Sequence, residues 1–289
     1  MVTLENEFLV INAKNEGAEL TSIFLKKDKI EYLWQGDPNY WRFHAPICFP
    51  IIGSLIENTC FVDDKPYNMT VHGFARDMNF DIYKQEKDSV SFILKSTDET
   101  LKKYPYKFSL IISYKLVGNK LTVSYEVRNE DNKDIYFSIG AHTAFNCPVK
   151  PDLNFEDYYL SFKDGEKIEP FLLDGGFLQD NKKVLYEKTN RIEVSKELFE
   201  NDVIILENLE NKQITIASGK NDHKVTVSFE DFPYVAIWSK PIRAPFICIE
   251  PWFGLPDSAG SSVELKDKKA IQKIKNNDDF KCSHEITIW

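Results

Sequence analysis

The chain has 289 residues, of which 43% are hydrophobic and 13% aromatic, and its formal net charge is −9. This composition is typical of a folded protein with a large buried core and excludes a disordered chain. The acidic balance, without any long basic block, argues against nucleic acid as a partner.

The N-terminal segment and the cysteines predict the cellular location of the protein. The segment MVTLENEFLVINAKNEG has no basic start followed by an apolar core, so we expect no signal peptide. The longest nearly apolar run, residues 45–53, is too short to span a bilayer and holds two prolines, so we expect no membrane partner. Five cysteines without a CxxC pair indicate neither a disulfide framework nor a zinc site. We therefore expect free thiols and a cytoplasmic location.

Alternation of apolar and polar residues with a period of two is the dominant pattern along the chain. A hairpin is predicted over residues 61–69, with Asp63 and Asp64 in the turn, and a strand follows over residues 89–95. Residues 107–117 and 120–129 are predicted to form two strands joined by a turn at Gly118-Asn119. Further strands are predicted over residues 224–230 and 284–289, the last one beginning at His284.

Helical signals are few. Residues 97–106 should hold one or two turns with Thr97 or Asp98 as N-cap, and residues 195–203 another turn with Ser195 as cap. Many short strands without intervening helices predict an all-β, antiparallel protein. The lack of a repeat or a low-complexity linker predicts one domain over residues 1–289. Double-sheet and closed β architectures often bind ligands on a concave face or in a barrel mouth.

Two of the five histidines stand where a predicted strand meets a loop. His72 lies in VHGFARD, residues 71–77, and His142 lies in GAHTAFNCP, residues 140–148, each near a glycine. Loops on a rigid scaffold carry functional sites more often than other segments do. His44, His223 and His284 are better explained as surface or core histidines that bond to the backbone.

Glu250 differs from the other carboxylates because it ends the apolar run of residues 246–249 and precedes Pro251-Trp252. A carboxylate there is costly unless it is used or paired. Apolar surroundings would raise its pKa toward the working range of a general base, although a partly exposed strand end is the alternative. Asp202 precedes an apolar strand and is either a site residue or a helix-end residue. Asp257 is more typical of a turn.

The spacing of potential ligands and nucleophiles excludes several chemistries. There is no HxH, HExxH or calcium-loop spacing, so no metal site is predicted. Nucleotide-binding glycine loops and the GxSxG and cysteine–histidine nucleophile motifs are also absent. The remaining histidines, carboxylates, arginine and aromatics suit proton transfer on a polar ring that stacks against aromatic side chains, as a carbohydrate does.

Five motifs follow one another along the whole chain: FPIIG at residues 49–53, HGFARD at 72–77, GAHTAFN at 140–146, NDVIIL at 201–206 and IEPWFGLPD at 249–257. In this order and spacing they resemble the aldose 1-epimerase (galactose mutarotase) superfamily, and within it the LacX-like branch. The resemblance implies a large antiparallel β-supersandwich. It also implies cofactor-independent interconversion of the α and β anomers of a hexose by acid–base ring opening.

The resemblance assigns roles to six residues, and Trp252 is added to them as an aromatic residue expected to stack on the sugar. His142 would be the general acid toward the ring oxygen and Glu250 the general base on the anomeric hydroxyl. The substrate would be bound by His72, Arg76, Asp202, Arg42 and Trp252. Arg76 and Arg42 resemble arginines of the hexose-phosphate mutarotase branch. Gly73 is expected to let the backbone approach the ligand.

Two positions depart from the pattern of the relatives. Ser54 stands where an arginine is usual, and Thr143 stands where a proline is usual. The missing arginine and the net charge of −9 favour a neutral aldose over its 6-phosphate. A hexose-6-phosphate mutarotase and a non-catalytic carbohydrate-binding protein on the same fold remain alternatives. A glycoside hydrolase is disfavoured, because it needs two carboxyl groups and only Glu250 stands out.

Overall fold

The computed structural model describes residues 1–200, 202–241, 244–260 and 262–289. In that part of the chain the strands are β1 (Val2–Glu5), β2 (Leu9–Ala13), β3 (Leu20–Leu25), β4 (Ile30–Glu31), β5 (Ile47–Cys48), β6 (Thr59–Val62), β7 (Lys65–Asn68), β8 (Asp81–Gln85), β9 (Ser89–Lys95), β10 (Phe108–Val117), β11 (Lys120–Asn129), β12 (Ile135–Phe137), β13 (Ile139–Ala141), β14 (Thr143–Asn146), β15 (Tyr158–Ile168), β16 (Phe171–Asp174), β17 (Phe177–Lys182), β18 (Tyr186–Glu193), β19 (Ile204–Glu207), β20 (Gln213–Ser218), β21 (Val225–Ser228), β22 (Tyr234–Trp238), β23 (Phe246–Phe253), β24 (Gln272–Ile274) and β25 (Asp279–Ile288).

Helix is confined to short segments. The α-helix α1 spans Asp98–Leu101, and single 3-10 turns span Ile56–Asn58, Ala75–Asp77, Phe155–Asp157, Glu197–Phe199 and Leu265–Asp267. None of the helices in the described ranges is long and apolar enough to cross a bilayer.

Two large sheets dominate the molecule. The nine-stranded sheet has the order β18-β15-β20-β21-β25-β11-β10-β9-β8, and the six-stranded sheet has the order β19-β22-β23-β13-β5, with β14 also paired to β23. The pairings between these strands are antiparallel. The largest cluster of buried apolar residues takes side chains from both sheets, including Leu110 and Val123 from one and Ile237 and Ile249 from the other. The predicted all-β antiparallel supersandwich is confirmed.

The side chains of strand β23 alternate between the main core and the opposite face of the sheet. Ile247 and Ile249 belong to the main core, whereas Phe246, Cys248 and Trp252 belong to two smaller clusters. Because successive side chains of a strand point to opposite faces, the even-numbered residues share the face that is turned away from the main core. Glu250 is one of them, and the cavity described below lies on that face.

Most of the local predictions agree with the structure. Strand β11 alternates strictly between buried and less buried residues, and Asp63 and Asp64 take positive φ values of 52° and 62° between β6 and β7. Gly118, with φ 58°, turns the chain between β10 and β11. The Thr97 side chain caps α1 by accepting a hydrogen bond from the Thr100 amide at 3.3 Å.

Two local predictions were wrong. The predicted turn over residues 195–203 is a single 3-10 turn, Glu197–Phe199, whose N-cap is Lys196 and not Ser195; Asn201 of that segment lies outside the described residues. Lys196 already has helical φ and ψ of −59° and −42°, so the chain begins to turn beyond Ser195. The last strand begins at Asp279 rather than at His284, which is buried in mid-strand opposite Val123.

Candidate functional site

A cavity of about 260 Å³ opens on the face of the six-stranded sheet that is turned away from the main core. Its size suits a monosaccharide, since pockets for drug-sized ligands are roughly 300–1,000 Å³. Six of the seven predicted site residues line it: His72, Arg76, His142, Asp202, Glu250 and Trp252. They come from four separate segments of the sequence, so tertiary folding brings them together.

Glu250 lies in the middle of β23, opposite Ala236 of β22, and is only 1% exposed. The carboxyl group is thus almost fully shielded from bulk solvent, and the surface that it does present lies in the cavity. Burial raises the pKa of Glu250 well above its usual range, and the Asp202 carboxylate raises it further. The protonated form of Glu250 is therefore favoured while the cavity holds no ligand.

His142 connects β13 to β14 and faces Glu250 across the cavity floor. Its backbone amide donates to the Pro46 carbonyl at 3.1 Å, which holds the connection against the segment that precedes β5. Nδ1 of His142 is 3.3 Å from Oε2 of Glu250, yet neither atom makes a hydrogen bond to any described residue. Two buried polar atoms that point at each other without a bonding partner are costly, and such atoms often mark a functional site.

Burial lowers the pKa of His142 well below its ordinary value, and His72 and Arg76 lower it further. The neutral imidazole is therefore favoured beside a protonated Glu250. The two groups together hold one transferable proton.

His72 is held by a tight turn. Its φ is 64°, and the Gly53 amide donates to its Nδ1 at 3.2 Å. A neutral imidazole that accepts at Nδ1 carries its proton on Nε2, so His72 is a hydrogen-bond donor at that atom. Burial and the nearby Arg76 lower the pKa of His72 to about 3, which keeps the ring neutral. Its ring meets the His142 ring edge to face, with centroids 5.1 Å apart.

The reason for glycine at position 73 differs from the one expected from the sequence. Gly73 has φ 75°, and a Cβ atom there would lie 2.2 Å from the Phe49 carbonyl oxygen. Gly73 does not line the cavity. The backbone of residue 73 therefore approaches the backbone of Phe49 rather than a ligand, and this contact sets the position of His72.

The two predicted arginines lie in different places. Arg76 lines the cavity, and its Nη2 donates to the Val71 carbonyl at 2.7 Å. Arg42 does not line the cavity: its side chain is 65% exposed, and its Nη2 is 3.2 Å from Oδ1 of Asp77. The guanidinium groups of Arg42 and Arg76 both lie over the Phe43 ring, at 4.1 and 4.9 Å from its centroid. A substrate role for Arg42 stays a prediction.

Three tryptophans surround the two histidines. The Trp41 ring lies 4.7 Å from the His142 ring at 31°, and the Trp238 ring lies 5.6 Å from it at 89°. Trp252 uses its indole N–H to donate to the Ala141 carbonyl at 3.1 Å, so it contributes ring surface rather than a hydrogen bond. Sequence reasoning selected Trp252 but missed Trp41 and Trp238. The presence of further tryptophans in a chain expected to bind a sugar was the available signal.

The other residues of interest lie at the rim of the cavity or outside it. Asp202 is exposed, with φ 74°, and it also lines a neighbouring cavity of about 680 Å³. Ser54 lines the candidate site, whereas Thr143 is 4% exposed, in β14, and does not. The other histidines, His44, His223 and His284, are also outside it.

Known proteins resemble this chain in both sequence and fold. The family model described as aldose 1-epimerase matches residues 1–273. The chromosomal LacX protein of Lactococcus lactis subsp. lactis is 38% identical over 300 residues, which cover 99% of each chain. A galactose mutarotase related enzyme from Lactobacillus acidophilus superposes with a TM-score of 0.95 at 30% identity, covering 100% of this chain and 97% of its own.

A galactose mutarotase-like protein from Lactobacillus casei superposes with a TM-score of 0.91 at 34% identity over the full length of both chains. The sequence matches and the fold agree over nearly the whole length of the protein. This chain belongs to the aldose 1-epimerase family.

Proposed function

We propose that the protein is an aldose 1-epimerase that interconverts the α and β anomers of a hexose by acid–base ring opening. The observation that carries this proposal is the buried pair of His142 and Glu250 at the floor of a cavity of monosaccharide size. Nδ1 and Oε2 are 3.3 Å apart, and neither atom bonds to any residue that the structure describes. Membership of the aldose 1-epimerase family supports it independently.

The spacing of the pair fits the reaction. The ring oxygen and the anomeric hydroxyl of an aldose are bonded to the same carbon, so the acid and the base must also be neighbours. Glu250 would take the proton of the anomeric hydroxyl while His142 gives one to the ring oxygen. The ring opens, the bond between C1 and C2 rotates, and closure on the other face reverses the transfers. Each positioned group contributes about 10²–10⁴-fold to such a rate.

Substrate binding has to move the proton of the pair from Glu250 to His142 before the reaction can begin. The empty cavity favours neutral His142 and protonated Glu250, because burial disfavours both charged forms. Sugar hydroxyls that donate to the Glu250 carboxylate would stabilise its charged form and let His142 hold the proton. His72 would donate from Nε2 to the region of the ring oxygen. Trp41, Trp238 and Trp252 would pack against the C–H faces of the sugar.

A neutral hexose fits this site better than a hexose phosphate. Among the described residues that line the cavity, Arg76 is the arginine, and one of its donors already bonds to the Val71 carbonyl. Glu250 and Asp202 also line the cavity, so a phosphate dianion would meet carboxyl groups as well as the Arg76 guanidinium. Ser54 offers a hydroxyl that suits a sugar hydroxyl. We therefore propose a free hexose as the substrate, with Asp202 binding its hydroxyl groups at the rim.

The proposal is tested by replacing the pair. Glu250→Gln keeps the shape of the side chain and removes the base, so anomer exchange should slow by about 10²-fold or more. His142→Asn should slow it by a similar factor and flatten one limb of the pH–rate profile. Polarimetry and NMR exchange with glucose and galactose measure both. His223→Asn is the matched control, because His223 bonds through Nδ1 to the Tyr32 hydroxyl away from the cavity.

Three outcomes separate the functions. A Glu250→Gln variant that keeps more than half of the wild-type rate would remove Glu250 from the mechanism. Equal losses from His142→Asn and His223→Asn would indicate an effect on stability rather than on catalysis. A wild-type protein that binds hexoses by NMR titration without accelerating anomer exchange would be a carbohydrate-binding protein on this fold.

We also propose that the chain forms one domain and works in the cytoplasm. The largest apolar cluster includes residues from Val2 to Ile288, which supports a single folding unit. All five cysteines are buried free thiols, which supports a reducing compartment.

A further inference from the structure

We propose that His142, Cys248 and Glu250 form a binding site for a divalent transition-metal ion of the zinc type, and that the bound ion inhibits anomer interconversion. The candidate ligand atoms, one from each residue, all lie within 4.8 Å of one another. All three residues are buried. The inhibitory part of the inference rests on the proposed function, whereas the metal site does not.

The distance between His142 and Glu250 matches metal coordination. Two ligands of a tetrahedral ion with bonds of about 2.0–2.1 Å are roughly 3.3–3.4 Å apart. Nδ1 of His142 and Oε2 of Glu250 are 3.3 Å apart, yet neither atom has a hydrogen-bond partner in the described part of the chain. An ion placed between them would satisfy both atoms at once. The distances from Cys248 Sγ to the other two ligand atoms, at most 4.8 Å, would have to shorten on binding by up to roughly 1 Å.

The charges of the three ligands also suit a divalent cation. On binding, the ion would displace the protons of Cys248 and Glu250, and the resulting thiolate and carboxylate would supply two negative charges that balance a divalent cation inside a buried site. The imidazole of His142 must offer a free nitrogen lone pair to coordinate, and its Nδ1 has no hydrogen-bond partner among the described residues. The nitrogen, sulfur and oxygen ligands together are those that zinc accepts in proteins.

Sequence spacing did not reveal this site. Cys248 and Glu250 are two residues apart on β23, so their side chains leave the strand on the same face. His142 comes from the connection between β13 and β14, and both of these strands pair with β23. The expectation that the chain has no metal site rested on ligand motifs local in sequence, whereas these ligands meet through strand pairing.

Occupation of the site would stop the reaction. Three protein ligands leave a fourth position for water or a sugar oxygen, as in other open zinc sites. The ion would, however, hold the nitrogen of His142 and the carboxylate of Glu250 that transfer protons in the proposed mechanism. Both residues line the cavity, which gives the ion its path of entry.

The binding test uses the full-length protein after treatment with a chelator. Titration with Co²⁺ should produce, at one equivalent, the thiolate-to-cobalt charge-transfer band and the intense visible bands of a tetrahedral ion. Calorimetry with Zn²⁺ should give the same stoichiometry. Cys248→Ser should abolish the thiolate band and weaken binding at least tenfold, because loss of even an outer partner of a ligand costs about 10–100-fold. Cys147→Ser, which changes another buried thiol, should bind as the wild type does.

The inhibition test compares each variant with its own metal-free rate. Zn²⁺ should inhibit anomer exchange by the wild type and by Cys147→Ser at similar concentrations. Half-maximal inhibition of Cys248→Ser should need at least ten times as much Zn²⁺. Saturating hexose should weaken binding of Zn²⁺ to the wild type, since both use the same cavity.

Two results would overturn the inference: a Co²⁺ spectrum without the thiolate band, or equal Zn²⁺ affinity in the wild type and Cys248→Ser. The two proposals can fail separately. One-to-one binding through Cys248 by a protein that does not accelerate anomer exchange would refute the proposed function and leave the metal site standing. Anomer exchange that needs Glu250 but is unaffected by Zn²⁺ would refute the inhibitory role and leave the proposed function standing.

Discussion

A buried ion pair behind the cavity wall provides the strongest stability prediction. Nζ of Lys268 lies 2.6 Å from Oδ1 of Asp257, and the two side chains are only 1% and 4% exposed. The other carboxylate oxygen accepts the Ile56 amide at 2.9 Å, and the Asp257 amide donates to the Ser54 carbonyl at 3.0 Å. Asp257 thus links the wall residues Ser54 and Pro256 to the loop that carries Lys268.

Replacement of Lys268 by Met should destabilise the protein strongly. The methionine fills most of the lysine volume but leaves the Asp257 carboxylate buried without a cation, at a cost of about 3–5 kcal/mol. For a chain of this size roughly 2 °C of melting temperature is lost per kcal/mol, so the midpoint should fall by about 6–10 °C. Urea titration and thermal unfolding followed by circular dichroism measure both quantities.

The matched control is Lys102→Met. The Lys102–Glu99 pair has the same 2.6 Å separation, but its side chains are 68% and 76% exposed, so its loss should cost at most about 1 kcal/mol. The double variant Asp257→Asn/Lys268→Met should recover most of the lost stability, because it leaves no buried charge and keeps an acceptor for the Ile56 amide. If Lys268→Met costs no more than Lys102→Met, burial does not decide the strength of these pairs and the reasoning fails.

Two further predictions concern pH and substrate choice. Burial lowers the pKa of His284 to about 3 in the folded protein. Below about pH 6.5 His284 is therefore protonated in the unfolded chain but stays neutral in the folded protein. Between about pH 7 and pH 5 this difference lowers the free energy of unfolding by about 2 kcal/mol. In urea titrations over this pH range, the free energy of unfolding of His284→Gln should fall by about 2 kcal/mol less than that of the wild type. If it falls with pH as steeply as that of His223→Gln, the prediction is contradicted. Ser54→Arg should raise kcat/KM for glucose 6-phosphate relative to glucose at low salt, whereas the wild type should prefer the neutral sugar. Faster turnover of the phosphate by the wild type would reverse the proposed substrate.

Features that depend on neighbours in the chain were predictable. The alternation in β11 follows from the pleat of a single strand, and the turn at Asp63 and Asp64 follows from residues that tolerate positive φ. The all-β class follows from many such segments. The short turn near Ser195 was placed correctly, but its cap was not, because a one-turn helix depends on the surrounding chain more than on its own capping residue.

The sequence by itself determined the fold class, the family resemblance and the residues of the proposed acid–base pair. Only the tertiary structure decided that His142 faces Glu250 at 3.3 Å, that Cys248 lies close enough to be a third metal ligand, and that Arg42 points to Asp77 instead of the cavity. The physical reason is the range of the interactions: propensity and alternation act within a strand, whereas the site depends on the pairing of β13 and β14 with β23. That pairing joins segments about a hundred residues apart, and no local pattern specifies it.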